Sequence, residues 1–395
     1  MVRSRLRRAA SVFVVGGVLA GCVAAPPPPV ATSPAAAGSQ EAAGGPSTGL
    51  PETPAVGDRG ARSEGLAAPD NDPTILAALK KALACPWTAE DGFDVTSEEG
   101  EFVECAAYKA WGEDDLLGED ADKGALTILN LLEDKDEKVR YLAVTKLPSS
   151  GALYKDGATA GRLVGQAERE TSPRIAKPLG YAVGWIRVDT AGHLPRIKKL
   201  AEASPLRGLR EGIYGTLLPT NDTSREAFDF YLASLRQDDA KMRYLVLLSL
   251  RGSKTFDQEI CGENVRLLDD PSSDVLGLAA QRLGYGPPCE AQFDKLLAYE
   301  KKRAAAGGVK EHLLPTALLN ACERDWINEV QRQEAEAIAK SLASGKNDDL
   351  VRASALGAVM VCNPTAGRAF VQGFTKDPSQ WVKDEANRRL KAPRK

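Results

Sequence analysis

Seven cysteines and two histidines, His193 and His312, are the residues of this 395-residue chain best suited to metal, nucleophilic or redox chemistry. Their spacing argues against most of it. No CxxC pair occurs, and two imidazoles are too few to complete a tetrahedral zinc site with scattered thiols. No G-x-S-x-G elbow is present, and the Ser-Gly-Lys at 344–346 lacks the upstream glycine of a phosphate loop. His193 in AGHLPRIKKL and His312 in KEHLLPTAL both stand at expected helix starts, where a histidine caps the helix or faces solvent. The acidic run GEDDLLGEDADKG (112–124) invites calcium. An EF-hand loop begun at Asp120 would place Gly124 at position 5, Ala125 at position 6 and Leu131 at position 12, where an oxygen ligand, a glycine and a glutamate are required. The expectation is therefore no catalytic residue, no metal and no cofactor.

The cysteines divide into one and six. Cys22 follows a head with four arginines and no acid (MVRSRLRR) and a short apolar run from Ala9 to Ala20. A basic head, a short apolar core and small residues before a break describe a secretory signal at 1–21. The run is too short to span a bilayer, which takes about 20 residues. Leu19-Ala20-Gly21-Cys22 resembles the lipobox of bacterial lipoproteins. That resemblance implies cleavage before Cys22, a diacylglycerol on its sulfur, and a membrane held through lipid. Several acyl chains anchor stably where one is marginal. Val23 is not the aspartate associated in some bacteria with inner-membrane retention, which implies the outer membrane and a periplasm-facing protein.

Residues 22–72 are built from Ala, Pro, Gly, Ser and Thr and hold too few large apolar side chains to offset the entropy of ordering. They read as a disordered linker with a reach of roughly 40 Å. From Pro73 onward the length suits two ordinary domains or one repeat array. A net charge of −3 excludes a dedicated nucleic-acid binder. Charge is uneven: thirteen acids face one base, Lys109, between Glu90 and Asp122, whereas seven bases face three acids from Lys376 onward. Such runs ordinarily form solvated faces.

Six further cysteines in an exported chain point to disulfides. Fifteen pairings of Cys85, Cys105, Cys261, Cys289, Cys322 and Cys362 are conceivable. Cys85 and Cys105 flank a single loop, and joining them would stabilise the fold by about 3 kcal/mol through chain entropy.

What must position these residues is a repeat. DEKVRYLAVTKL (136–147), DAKMRYLVLLSL (239–250) and DDLVRASALGAV (348–359) share an acid, an apolar-basic pair, a small or apolar residue four positions on and an apolar residue eight positions on. WVKDEANRRL ends the chain in the same pattern. Positions i, i+4 and i+8 form one helical stripe. Anchors at 139, 175, 206, 242, 275, 313, 351 and 382 mark eight units of 31 to 38 residues, each preceded by a second amphipathic segment. One such unit cannot bury both helices, so the units must stack. The unit resembles HEAT and HEAT-like repeats, whose second helix carries an Asp…Val-Arg…Ala…Leu signature. The resemblance covers about residues 122–395 and implies an all-α solenoid, with 73–121 as a disulfide-closed, helical N-terminal cap. The copies at Ile175 and Leu206 depart most, and Pro178 predicts a kink or packing irregularity there. Stacking places Cys322 beside Cys362, just past two consecutive second helices, and Cys261 beside Cys289.

The arginines Arg140, Arg243 and Arg352 stand four residues after Asp136, Asp239 and Asp348, which predicts dipole-favoured pairs one turn apart. Among the five tryptophans, Trp87 and Trp111 flank the acidic stretch and are the candidate protein-binding residues. Some HEAT-like proteins are chromophore lyases, but nothing here resembles such a site beyond the repeats. The reading is a non-catalytic scaffold or adaptor for a protein partner. The alternatives are an enzyme or small-ligand binder with a pocket at the cap–repeat junction, and a purely architectural envelope protein.

Overall fold

The computed structural model describes residues 65–68, 70–87, 94–96, 102–112, 121–147, 157–186, 192–216, 224–249, 255–285 and 289–391. Cys22, the expected signal segment 1–21 and nearly all of the expected linker 22–72 lie outside these residues. α1 (Pro73–Leu83) and α2 (Ala106–Gly112) precede eight helix pairs. The first four pairs are α3 (Ala121–Leu132) with α4 (Glu137–Lys146), α5 (Gly157–Arg169) with α6 (Pro173–Gly184), α7 (Leu194–Ala203) with α8 (Arg207–Thr216), and α9 (Arg225–Ser234) with α10 (Ala240–Ser249). The next four are α11 (Asp257–Arg266) with α12 (Ser273–Leu283), α13 (Glu290–Ala306) with α14 (Leu313–Glu323), α15 (Glu329–Ser344) with α16 (Asp349–Cys362), and α17 (Pro364–Gln372) with α18 (Gln380–Lys391). Each even-numbered helix from α4 to α18 packs on the next even-numbered one, so the second helices form one continuous layer. α3, α5 and α7 form a first layer in the same way, as do α11, α13 and α15. This is an all-α solenoid.

The second-layer helices share a register set by their N-caps. Asp136, Asp239 and Asp348 each accept a hydrogen bond from the backbone N–H two residues on, closing the first turn. The third helical residue is then the buried anchor: Val139, Ile175, Leu209, Met242, Val275, Val351 and Val382. The residue four positions on is buried beneath it. Two expected anchors are corrected. In α8 the stripe is Leu209 and Ile213, while Leu206 stays half-exposed before the helix. In α14 it is Leu314 and Leu318 rather than Leu313, because Pro315 sits in the first turn and shifts the start by one.

Pro178 lies inside an unbroken α6. The irregularity there is a close approach. A Cβ on Gly180 would fall 2.3 Å from the Leu209 carbonyl oxygen, and one on Gly212 would fall 2.3 Å from that of Lys177. Only hydrogen at these Cα positions lets the two backbones touch, and α6–α8 is the tightest helix contact in the stack.

The folded part begins before the expected residue 73. Asn71 is buried, bonds the Gly65 carbonyl at 2.7 Å and accepts from Asn130 of α3, while the Asp72 N–H donates to Thr127 Oγ1 at 2.8 Å. Nor is the cap purely helical. Between α1 and α2 the chain forms an antiparallel hairpin, β1 (Asp94–Thr96) with β2 (Phe102–Glu104), pairing Val95 with Val103. The sequences DVT and FVE place β-branched residues where an extended ladder favours them. Cys85 and Cys105 close this excursion with Cα atoms 5.9 Å apart. Cys261–Cys289 joins α11 to the start of α13, and Cys322–Cys362 joins α14 to α16, with Cα separations of 5.3 and 5.0 Å. Cys322 and Cys362 lie in the last turns of their helices, not past them.

Candidate protein-binding face

The repeated arginines do not pair with the acids one turn before them. Those acids are occupied as N-caps, and each arginine instead crosses to the following unit. Arg140 makes two hydrogen bonds to Glu170, from Nε at 3.0 Å and Nη2 at 3.1 Å. Arg243 grips Asp270 at 2.9 and 2.7 Å, and Arg352 grips Asp377 through both Nη atoms. Each acid stands five residues before the next anchor and accepts the N–H two residues on, from Ser172, Ser272 and Ser379 respectively. One carboxylate thus shapes the turn of its own unit and receives the guanidinium of the unit before. These clamps join units one and two, four and five, and seven and eight. Burial pushes the Glu170 carboxyl up, but the Arg140 guanidinium and the N–H groups of Ser172 and Thr171 outweigh it and hold the group below its ordinary value.

With the register fixed, the outward positions of the second layer can be read helix by helix: one residue before the anchor, two after it and six after it. Unit one presents Lys138, Tyr141 and Thr145; unit two Arg174, Lys177 and Tyr181; unit four Lys241, Tyr244 and Leu248. Unit three contributes Gly208, Glu211 and Gly215. The aromatic rings carry cations. Lys177 Nζ lies 6.0 Å from the Tyr181 ring centre and Lys241 Nζ 5.8 Å from that of Tyr244. Further along, Arg324 stacks 4.3 Å over Tyr285, which is 49 % exposed. Sequence reading missed these tyrosines because no single copy reveals them. Aligning the units at their anchors puts Tyr141, Tyr181 and Tyr244 in the outward columns.

The two candidate tryptophans separate. Trp87 is half-buried at the junction of the cap with unit one, its ring edge-on to Tyr141 at 5.3 Å and capped by Arg174 at 5.2 Å. It joins the outward row. Trp111 is corrected as a contact residue. It is 1 % exposed, and its indole N–H donates to the Leu142 carbonyl at 3.0 Å and to Thr145 Oγ1, so it plugs the cap onto α4.

His193 precedes α7 half-exposed, with Nε2 3.1 Å from the Gly157 carbonyl, and His312 precedes α14 exposed. Neither makes a side-chain cap bond. Most of the acidic run 112–124 lies outside the described residues. Among the described residues, no cluster of three or more His, Cys, Asp or Glu side chains could hold a metal ion. No described helix is long and apolar enough to cross a membrane.

An open cleft of about 940 Å³ lies between α7 and α9. Leu194 and Phe230, both buried, form its apolar floor, and Lys198, Lys199 and Glu202 of α7 stand opposite Arg225, Glu226 and Asp229 of α9. Its charges balance, so it selects no ligand class. No protein-family model matches this chain, and no curated protein matches it in sequence.

Proposed function

We propose that this protein is an envelope-anchored bacterial lipoprotein, held through lipid at Cys22, that serves as a non-catalytic scaffold or adaptor through its HEAT-like solenoid. The lipobox-like LAGC supports the anchor. The observation that carries the scaffold reading is the second layer itself. Its outward positions expose Leu248 and Trp381, and Trp185 and Tyr285 stand exposed just past the ends of α6 and α12. Exposed aromatic residues with neighbouring arginines are the side chains that protein interfaces concentrate. Long stacked arrays offer extended surfaces for such contacts.

In-cell crosslinking from a photoreactive residue at position 285, followed by purification and mass spectrometry, tests this reading. One recurrent protein partner is expected. Absence of any enriched partner from positions along the whole layer sinks the scaffold. Separately, Cys22→Ser should abolish acylation and firm membrane retention, and retention of an unacylated protein rejects the anchor.

A further inference from the structure

The outward face of the second layer is not uniform. Across the three outward positions, units one to four carry Lys138, Arg174, Lys177 and Lys241 against the single acid Glu211. Glu211 is already engaged, by Lys177 at 3.8 Å and Arg207 at 3.0 Å. The same positions in units five to eight carry Asp274 and Asp384 against Arg388, which Glu385 neutralises, and expose Leu350 and Trp381. Tyr141, Tyr181 and Tyr244 all fall in the first half, where Trp87 of the cap extends the row. The molecule as a whole is acidic, with a net charge of −3, so this basic half-face runs against its average.

We infer that the outward face of units one to four binds an extended acidic polypeptide segment of a protein partner, with carboxylates lying on Lys138, Lys177 and Lys241 and intervening side chains on the tyrosine rings. The inference rests on the scaffold reading above. Charge complementarity selects the sign of the partner. Spacing selects its form: packed helices stand roughly 8–10 Å apart, and an extended chain advances about 3.3 Å per residue, so every third residue meets the next helix. Four helices then accommodate roughly ten residues. Unit three supplies the shallow step in this path. Gly208 and Gly215 leave Glu211 as the one side chain at the outward positions of α8, and the Tyr181 ring lies so close over Gly215 that a Cβ there would meet it at 3.0 Å. Each lysine over a ring keeps its remaining N–H groups for a carboxylate, and the ring supplies apolar contact to the stem that carries it.

The test is fluorescence anisotropy of a labelled twelve-residue peptide, four repeats of Glu-Ser-Gly, titrated with the full-length protein. Binding that weakens with salt is expected. Reversing two charges in Lys138→Glu with Lys241→Glu should weaken it about fourfold or more, because two exposed pairs are lost and two repulsions are added. Tyr244→Ala should weaken it as well. Lys302→Glu, the same charge change on exposed α13, should leave it unaltered. No binding, binding indifferent to the double reversal, or capture of heparin with no affinity for the peptide each overturns the inference. So does a concentration-dependent dimer, abolished by the double reversal, in a protein that ignores the peptide. A partner crosslinked elsewhere on the layer, with no peptide binding, would remove this inference and leave the scaffold standing.

Discussion

Arg140 and Glu170 lie thirty residues apart in sequence and face each other through two parallel hydrogen bonds, both side chains buried. The remaining Arg140 nitrogen, Nη1, donates to the carbonyls of Asp134 and Lys135, so every donor on the guanidinium side facing the protein is used. Such a pair adds little net stability over an apolar one of equal shape, but losing one partner strands the other. Arg140→Ala should therefore destabilise the fold by about 3–5 kcal/mol, whereas Arg140→Met combined with Glu170→Leu should recover most of that loss. Urea denaturation of the three proteins measures it. Equal stability of the single and wild-type chains would contradict the clamp.

Two glutamates predict opposite responses to pH. Glu170 titrates below its ordinary value in the fold, so its contribution is complete above the unfolded carboxylate range and is lost as pH falls through the lower folded value. Glu300 of α13 is fully buried, and neither of its carboxylate oxygens has a hydrogen-bond partner among the described residues. Burial raises its titration well above the ordinary value, so its penalty is absent below the unfolded range and grows as pH rises towards the folded value. Glu300→Gln should raise the melting temperature at pH 7 and change it little at pH 4. An equal effect at both values would mean that the carboxyl is not held neutral.

Gly212→Ala tests the close approach of α6 and α8. The new methyl would meet the Lys177 carbonyl oxygen at 2.3 Å and the Tyr181 nitrogen at 2.7 Å, both backbone atoms that cannot swing aside. A loss of about 1–3 kcal/mol is expected despite the better helix propensity of alanine. Gly262→Ala, on exposed α11 with nothing within 4 Å of the added carbon, should be neutral or stabilising.

Peptide mapping without reductant should recover three linked pairs, Cys85–Cys105, Cys261–Cys289 and Cys322–Cys362. Replacing Cys322 and Cys362 together by serine should lower stability by about 2–4 kcal/mol. An unchanged denaturation midpoint would show that the staple contributes nothing beyond the helix packing of α14 on α16.

The stack was legible in the sequence because its physics is local. A capping acid, an anchor three residues on and a small or apolar residue one turn later recur in Asp136, Val139 and Ala143 and in Asp348, Val351 and Ala355. The register slips at Leu206 and Leu313, whose stripes run instead through Leu209 and Leu314. The arginine clamps could not be read, because their partners lie 30, 27 and 25 residues away across loops of unequal length. A nearer acid stood in plain view and was already committed to the helix start. The outward row of tyrosines was hidden for a similar reason. Tyr141 and Tyr244 stand two residues after their anchors and Tyr181 six after its own, and they become one row only after the helices are laid side by side. The hairpin in the cap was masked by its acidic surroundings, which the period-2 pattern of six residues is too short to override.

The three crosslinks set a limit on how far this chain can be drawn out. They bridge residues 20, 28 and 40 positions apart. Under tension between its ends, a fully opened chain would gain about 3.5 Å for each free residue and nothing for those enclosed by a bridge. Two of the three enclosed segments lie beyond residue 260, so extension would come mainly from the first half, which only Cys85–Cys105 crosslinks. The half-face that carries the lysines would lengthen most under force, and the stapled half least.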